Sequence, residues 1–402
     1  MYVIQSISLP KNVIDEINTI FYRFIWKKDN IAWERVKRNI LCKKRLEGGL
    51  DMINMHNFQD SFLIQWACRL INENNEDWTI LPNILLRDIG SVKVFNSKID
   101  LKHFQGIENI KSKFWKSVVT AWIRYNTQKD ELIKSNDPIN NNINLTVNNQ
   151  TLFMERSLKR KIILIEDVLE NNEIISFEKF ESKVGKHPSN LIEYTTMKIA
   201  ISKIKENMII DNREQEVFFR EDKCKSLSRK KIYEIIAIKE PNFCEQMWER
   251  KIGNQVNENI WNNMFKSIKE IKLLEIQWKI LQNVFPTNIL LNRIGIKQSE
   301  NCDFCDNQRD YVEHYFFQCT RLLHFWAYVS NHMSIKLNKK IILNKYNILL
   351  GFDQGDQMLT INEIIIINKI LAIAKFSIIK SKHSNLNSII IFENELRWRK
   401  TF

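Results

Sequence analysis

The sequence predicts a mainly α protein: a multi-helical bundle at the N-terminus, a short β-hairpin in the middle, and a helical C-terminal region with a small Cys3His module. Three observations carry that prediction. Apolar side chains recur at helical spacing along most of the 402 residues, which places them on one face of successive helices. Only 9 Gly and 6 Pro interrupt the chain, too few for a collagenous or loop-dominated protein. Three of the seven cysteines fall, with one histidine, between residues 302 and 319.

Ser8-Leu-Pro10 reads as a helix start, since proline is tolerated in a first turn. Val13, Ile14, Ile17, Ile20, Phe21, Phe24 and Ile25 follow at helical spacing. Glu47-Gly48-Gly49-Leu50 reads as a turn, because paired glycines reach backbone angles that other residues avoid. Phe58, Phe62, Leu63, Trp66 and Leu70 form the next apolar stripe, and Phe114-Trp115, Val118, Val119 and Trp122 another. Such aromatic stripes belong to a core more often than to a base-stacking platform. The Asn-rich run 136–149 is the best linker candidate. Leu145-Thr-Val147, Asn148-Asn149 and Thr151-Leu-Phe153 fit a hairpin closed by an Asn turn. From Trp248 the pattern is helical and Trp-rich through Trp261, Trp278 and Phe285 to Pro286-Thr-Asn288. Leu290, Leu291 and Ile294 precede Gly295, a fitting helix C-cap. The apolar run Ile361 to Ile379 contains Glu363, Asn368, Lys369 and Lys375, so it reads as a buried helix and not as a membrane span. These shifts divide the chain at 1–135, 136–240 and 241–402.

Cys302, Cys305, His314 and Cys319 lie at the spacing C-x2-C-x8-H-x4-C. Soft thiolates with one imidazole at such spacing suit tetrahedral Zn²⁺. Phe304, Tyr311, Phe316 and Phe317 interleave with them and fit a small core nucleated by the metal. The alternative is an unmetallated helix-turn with buried thiols. Three Cys and one His would close the coordination shell, which makes the zinc a structural cofactor and leaves no open position for hydrolysis. The other four cysteines show no pairing logic, as in a reducing compartment. No signal peptide is evident, and the compartment stays open.

Sixty Lys and Arg against 47 Asp and Glu give net +13, which favours polyanionic partners. The most basic stretch, residues 33–50, holds Arg35, Lys37, Arg38, Lys43, Lys44 and Arg45 for a net +4. Basic side chains beside a Gly-Gly turn can approach a phosphate backbone closely. Arg156, Lys159, Arg160 and Lys161 form a second basic group. A solvated loop explains the first of these equally well. Residues 295–319 by contrast carry a net −3, a poor grip for phosphate.

Several blocks, in order, resemble the region after the polymerase palm in LINE-type non-LTR retrotransposons. They are Phe24-Ile-Trp26, then Arg45-Leu-Glu-Gly48-Gly49-Leu50 with Asn54 and Asn57, and Phe114-Trp115…Ala121-Trp122. Trp278-Lys-Ile280…Pro286-Thr-Asn288…Leu291…Gly295-Ile296 and the Cys302, Cys305, His314, Cys319 set with Phe325-Trp326 complete them. The resemblance implies a reverse-transcriptase thumb at the start of the chain and a zinc-knuckle-like C-terminal region. It further implies RNA or single-stranded DNA as partner, together with the polymerase part of the element.

The family's polymerase activity needs palm aspartates that hold two metal ions, and no Asp-Asp dipeptide occurs here. The expectation is therefore a truncated, non-enzymatic, retrotransposon-derived protein that binds nucleic acid. The competing expectation is a helical interaction fragment with no nucleic-acid role, whose Val13–Ile25 helix exposes apolar surface.

Overall fold

The structure is a computed structural model that describes residues 7–26, 36–73, 76–96, 104–126, 133–209, 217–220, 222–237, 243–253, 256, 259–306, 308–353, 359–384 and 386–399. It is mainly helical, with short strand pairs and a Cys3His cluster. Two compact units divide the chain. One comprises residues 1–21 and 54–238, the other residues 22–53 and 239–402. The helix read from Pro10 onward runs Lys11–Trp26, and the Pro10 carbonyl accepts the amides of Val13 and Ile14.

In the first unit, helix Met55–Asn72 packs against helices Lys113–Tyr125 and Arg229–Ile236. The Asn54 side chain caps the first of these by accepting the amides of His56 and Asn57, and Ser112 caps the second. Each cap satisfies a donor that a helix start otherwise leaves unpaired. The Trp115, Val118, Val119 and Trp122 stripe is buried, with Trp122 edge-on to Phe95 at 5.4 Å. Aromatic packing, as expected, is the use of that stripe.

A second apolar cluster of this unit gathers on helices Phe177–Val184 and Asn190–Ile204 around Phe180, Met197 and Ile201. The Asn hairpin is present: Thr146–Val147 pairs antiparallel with Gln150–Thr151. Asn148 and Asn149 hold φ of 51° and 62°, the left-handed pair that a two-residue hairpin turn requires. Asn171 and Asn172 repeat the device at 51° and 63° between Leu169–Glu170 and Glu173–Ile174. The first part of the Asn-rich run is packed, because Asn140, Asn141 and Asn142 are buried and their side chains bond backbone groups. Asn140 accepts the Met154 amide at 2.6 Å, and Asn141 exchanges two bonds with the Gln105 backbone. Asn side chains mimic backbone groups in this way and can fold a chain segment that lacks regular structure.

In the second unit, helix Ile361–Ser384 is central. It packs against Ile260–Ser267, Ile271–Leu281, Leu323–Leu337 and Ser388–Trp398. Neighbours on several sides explain why its apolar residues show no single face: Ile364, Ile367, Ile370, Leu371 and Ile378 are all buried. Each such side chain contributes about 1.5–3 kcal/mol on burial. Its polar residues have partners. Asn368 exchanges two hydrogen bonds with the Phe352 backbone, and Lys375 donates to Gln277 Oε1 and to the Leu349 carbonyl. Among the described residues no helix is long and apolar enough to cross a membrane.

Segment 36–53 belongs to this second unit. A short helix, Arg38–Leu41, and a 3-10 turn, Arg45–Glu47, lead into the glycine pair. Gly48 takes φ 85°. A Cβ on Gly49 would lie 2.0 Å from the Lys43 carbonyl oxygen, so only glycine fits there. The Gly48 carbonyl accepts from Trp278 Nε1 at 3.0 Å and from Gln282 Nε2 at 2.8 Å. Two sequence blocks more than 200 residues apart thus meet at one oxygen.

Candidate metal centre

Cys302 and Cys305 open and close a tight turn in which the Phe304 amide points at Cys302 Sγ, 3.4 Å away. The turn sits in a small loop clasped by an antiparallel bridge between Asn301 and Arg309 and by the Cys302 amide on the Gln308 carbonyl. His314 begins a π-helical turn, His314–Gln318, and the Cys319 amide bonds the His314 carbonyl at 3.2 Å. An α-helix advances about 100° per residue, so residues five apart would diverge by about 140°. The wider i→i+5 turn brings His314 and Cys319 to the same side, as π turns at ligand sites do. Trp326 holds that turn by donating Nε1 to the Phe316 carbonyl at 2.7 Å.

The four side chains expected as ligands converge. Their ligand atoms all lie within 4.8 Å of one another, and Cys305 Sγ is 3.4 Å from His314 Nε2. Zinc at ordinary Zn–S and Zn–N bond lengths separates its ligand atoms by about 3.5–3.8 Å. Cys302, His314 and Cys319 are fully buried and Cys305 is half-buried. Hydrogen-bond donation by Cys319 holds the Cys302 thiol well below the usual thiol range, and the same bond, with burial, pushes Cys319 up. Three unbridged thiols and an imidazole face one another in an apolar core, and His314 Nδ1 has no partner. Such a donor set fits Zn²⁺ through three Sγ atoms and His314 Nε2.

A further layer surrounds these side chains. Asn288, buried, donates Nδ2 to the Asn301 carbonyl and to Asp303 Oδ1, and its amide bonds Asp310 Oδ2 at 3.0 Å. Lys382, near the end of helix Ile361–Ser384, places Nζ 3.6 Å from Cys302 Sγ and 3.4 Å from Asp310 Oδ1. The same ammonium lies 3.5 Å from the centre of the Tyr315 ring. Its side chain is 3% exposed.

The negative count over 295–319 is accordingly offset in space. Glu300 pairs with Arg309, Asp303 with Lys297, Asp310 with Lys382 and Glu313 with Lys251. Lys251 and Lys382 come from outside that stretch, so a sum over a sequence window misses them. No local spacing signals either lysine.

Residues 231–326 match a family model described as zinc-binding in reverse transcriptase. All four clustered side chains lie inside the match. This segment is therefore similar to the zinc-binding region associated with reverse transcriptases, and the cluster fits that description. No curated protein matches the chain.

The basic residues are placed as follows. Arg35 lies outside the described residues. Lys37, Arg38, Lys44 and Arg45 are exposed and Lys43 is half-buried, all on the segment that ends in the glycine turn. Arg38 stacks over the Tyr22 ring at 4.4 Å, and Arg45 pairs with Asp51 at 3.3 Å. Arg156, Lys159, Arg160 and Lys161 belong to the other unit. Lys159 is bound to Glu155 at 2.6 Å, and Arg156 Nε is buried. Arg160 and Lys161 are exposed, Lys161 at φ 66°.

Proposed function

We propose that this chain is a reverse-transcriptase-derived protein of the LINE type, and that it binds RNA or single-stranded DNA with a structural zinc in its C-terminal region. The observation that carries this reading is the convergence of Cys302, Cys305, His314 and Cys319 inside the matched zinc-binding segment. Zinc there supplies cross-linking: four protein ligands complete its tetrahedron, and folding energy comes with them. The reading assigns no catalytic role to the chain.

Support for nucleic acid comes from the net charge of +13 and from the glycine turn that closes the segment carrying Lys37, Arg38, Lys43, Lys44 and Arg45. The turn is anchored by Trp278 and Gln282, which limits the ordering cost when those side chains meet phosphate. The test is binding of single-stranded RNA and DNA oligonucleotides across a salt series. Replacing Lys43, Lys44 and Arg45 by Ala should weaken binding at low salt. It should also flatten the log–log salt slope by about 2, at roughly 0.7 for each phosphate no longer neutralised. An unchanged slope would remove this turn from the interface.

One observation favours a second reading, an interaction segment that self-associates. Helix Lys11–Trp26 exposes Ile20, Phe21 and Phe24, the last at 83%, and contiguous apolar surface marks contact sites. Sedimentation of the wild type against an Ile20→Asp, Phe24→Asp variant separates the two readings. Self-association that only the wild type shows, without oligonucleotide binding, supports the second.

A further inference from the structure

We propose that Lys382 is the outer counter-charge of the zinc–thiolate cluster, so that the working zinc unit reaches from residue 302 into helix Ile361–Ser384. The family match ends at residue 326, well short of it. This inference rests on the zinc reading above.

The argument is one of charge and burial. Three thiolates, one neutral imidazole and Zn²⁺ sum to −1. That charge would sit in a core lined by Phe316, Leu322 and Phe325, all essentially inaccessible to water. A buried charge without a partner is strongly unfavourable. Lys382 is the cation in contact: Nζ is 3.6 Å from Cys302 Sγ, and the side chain is enclosed by the Phe304 and Tyr315 rings. The rings keep water from screening the ammonium. Asp310 accepts from Lys382 on one side and from the Asn288 amide on the other, which fixes the lysine head beside the sulfur. A lysine placed only to pair with Asp310 would have no need of the thiol, and one placed only to solvate a helix end would be exposed. Lys382 thus serves as a positioning residue that stabilises the loaded cluster.

Two near-isosteric changes separate the effect of charge from that of packing. Lys382→Met removes the counter-charge, and zinc affinity should fall about 10–100-fold, the usual loss when an outer partner of a metal ligand is removed. Asp310→Asn leaves the ammonium's charge in place but loosens its hold beside the sulfur, because one of the two acceptor oxygens is lost, so affinity should fall less than in Lys382→Met. If packing alone mattered, both variants would lose affinity equally.

The measurement is zinc competition against a chromophoric chelator on the full chain, with bound metal counted by elemental analysis. Helix content is matched by circular dichroism. Should Lys382→Met fail to fold because Asp310 is left unpaired, the Lys382→Met, Asp310→Asn double variant replaces it, with the same fall expected relative to Asp310→Asn. A wild type that binds no zinc overturns the zinc reading and this inference together. A wild type that binds zinc, with Lys382→Met binding equally tightly, overturns this inference alone, as does an equal fall in both single variants.

Discussion

Substituting Gly49 by Ala should destabilise the second unit more than substituting Gly48, although Gly48 has the unusual backbone angle. At Gly48, φ 85° and ψ 5° cost an alanine about 1–2 kcal/mol. At Gly49 the obstacle is backbone. A new Cβ would stand 2.0 Å from the Lys43 oxygen and 2.4 Å from its carbon, where a carbon–oxygen contact needs about 3.3 Å. The Lys43 carbonyl must retreat by more than about 1 Å. It accepts the Asp51 amide at 3.0 Å, and that bond, worth about 1 kcal/mol net, breaks. Overpacking adds about 1–3 kcal/mol, for a total of about 2–4 kcal/mol. Urea unfolding gives the magnitude. Indole N–H resonances of ¹⁵N-tryptophan-labelled protein give the location, because Trp278 Nε1 bonds the neighbouring Gly48 carbonyl. Stability within about 0.5 kcal/mol of wild type, with the Trp278 indole signal unmoved, would refute the close-approach reasoning.

Metal removal should act on one unit only. Chelation, or Cys302→Ser, is expected to lower the melting transition of the unit formed by residues 22–53 and 239–402 and to leave the other in place, as calorimetry with and without chelator would show. Structural zinc is worth about 10–16 kcal/mol in small zinc-binding peptides, so a shift too small to resolve would count against a metal at this cluster. Lys375 supplies a pH test. Burial pulls its pKa from 10.5 down to about 7. Between those values the unfolded chain binds the proton that the folded chain has released, so stability should rise with pH through that window, by up to about 1.4 kcal/mol per pH unit. It should be flat, for this group, below about 7. Lys375→Met should remove that contribution to the slope, which urea unfolding of both proteins from pH 7 to 10 would reveal.

Local features were legible in the sequence. The helical stripes, the Asn148-Asn149 hairpin and the Cys302…Cys319 set each depend on residues within twenty positions of one another, where spacing sets geometry. Several sequence blocks of the family resemblance prove to be pairs of hydrogen-bond partners. Trp278 holds Gly48, Asn288 holds the Asn301 loop, and Trp326 holds the π turn. The lysines around the metal cluster were not legible, because Lys251 and Lys382 reach it from other helices and nothing in their local sequence marks the approach. The Asn-rich run misled for a different reason. Composition alone cannot tell an asparagine that faces water from one that replaces a backbone partner, and Asn140 and Asn141 do the latter.

The placement of residues 22–53 with residues 239–402 also bears on how the chain is made. When Val36 and Leu41 leave the ribosome, most of the apolar cluster they share, Trp278 included, has not been synthesised. Residues 54–238 come first, and at about 5–20 residues per second they take about 10–40 s. For that time an apolar, basic segment waits without its core. A holdase that covers it during that time should raise the yield of folded protein without changing its final stability.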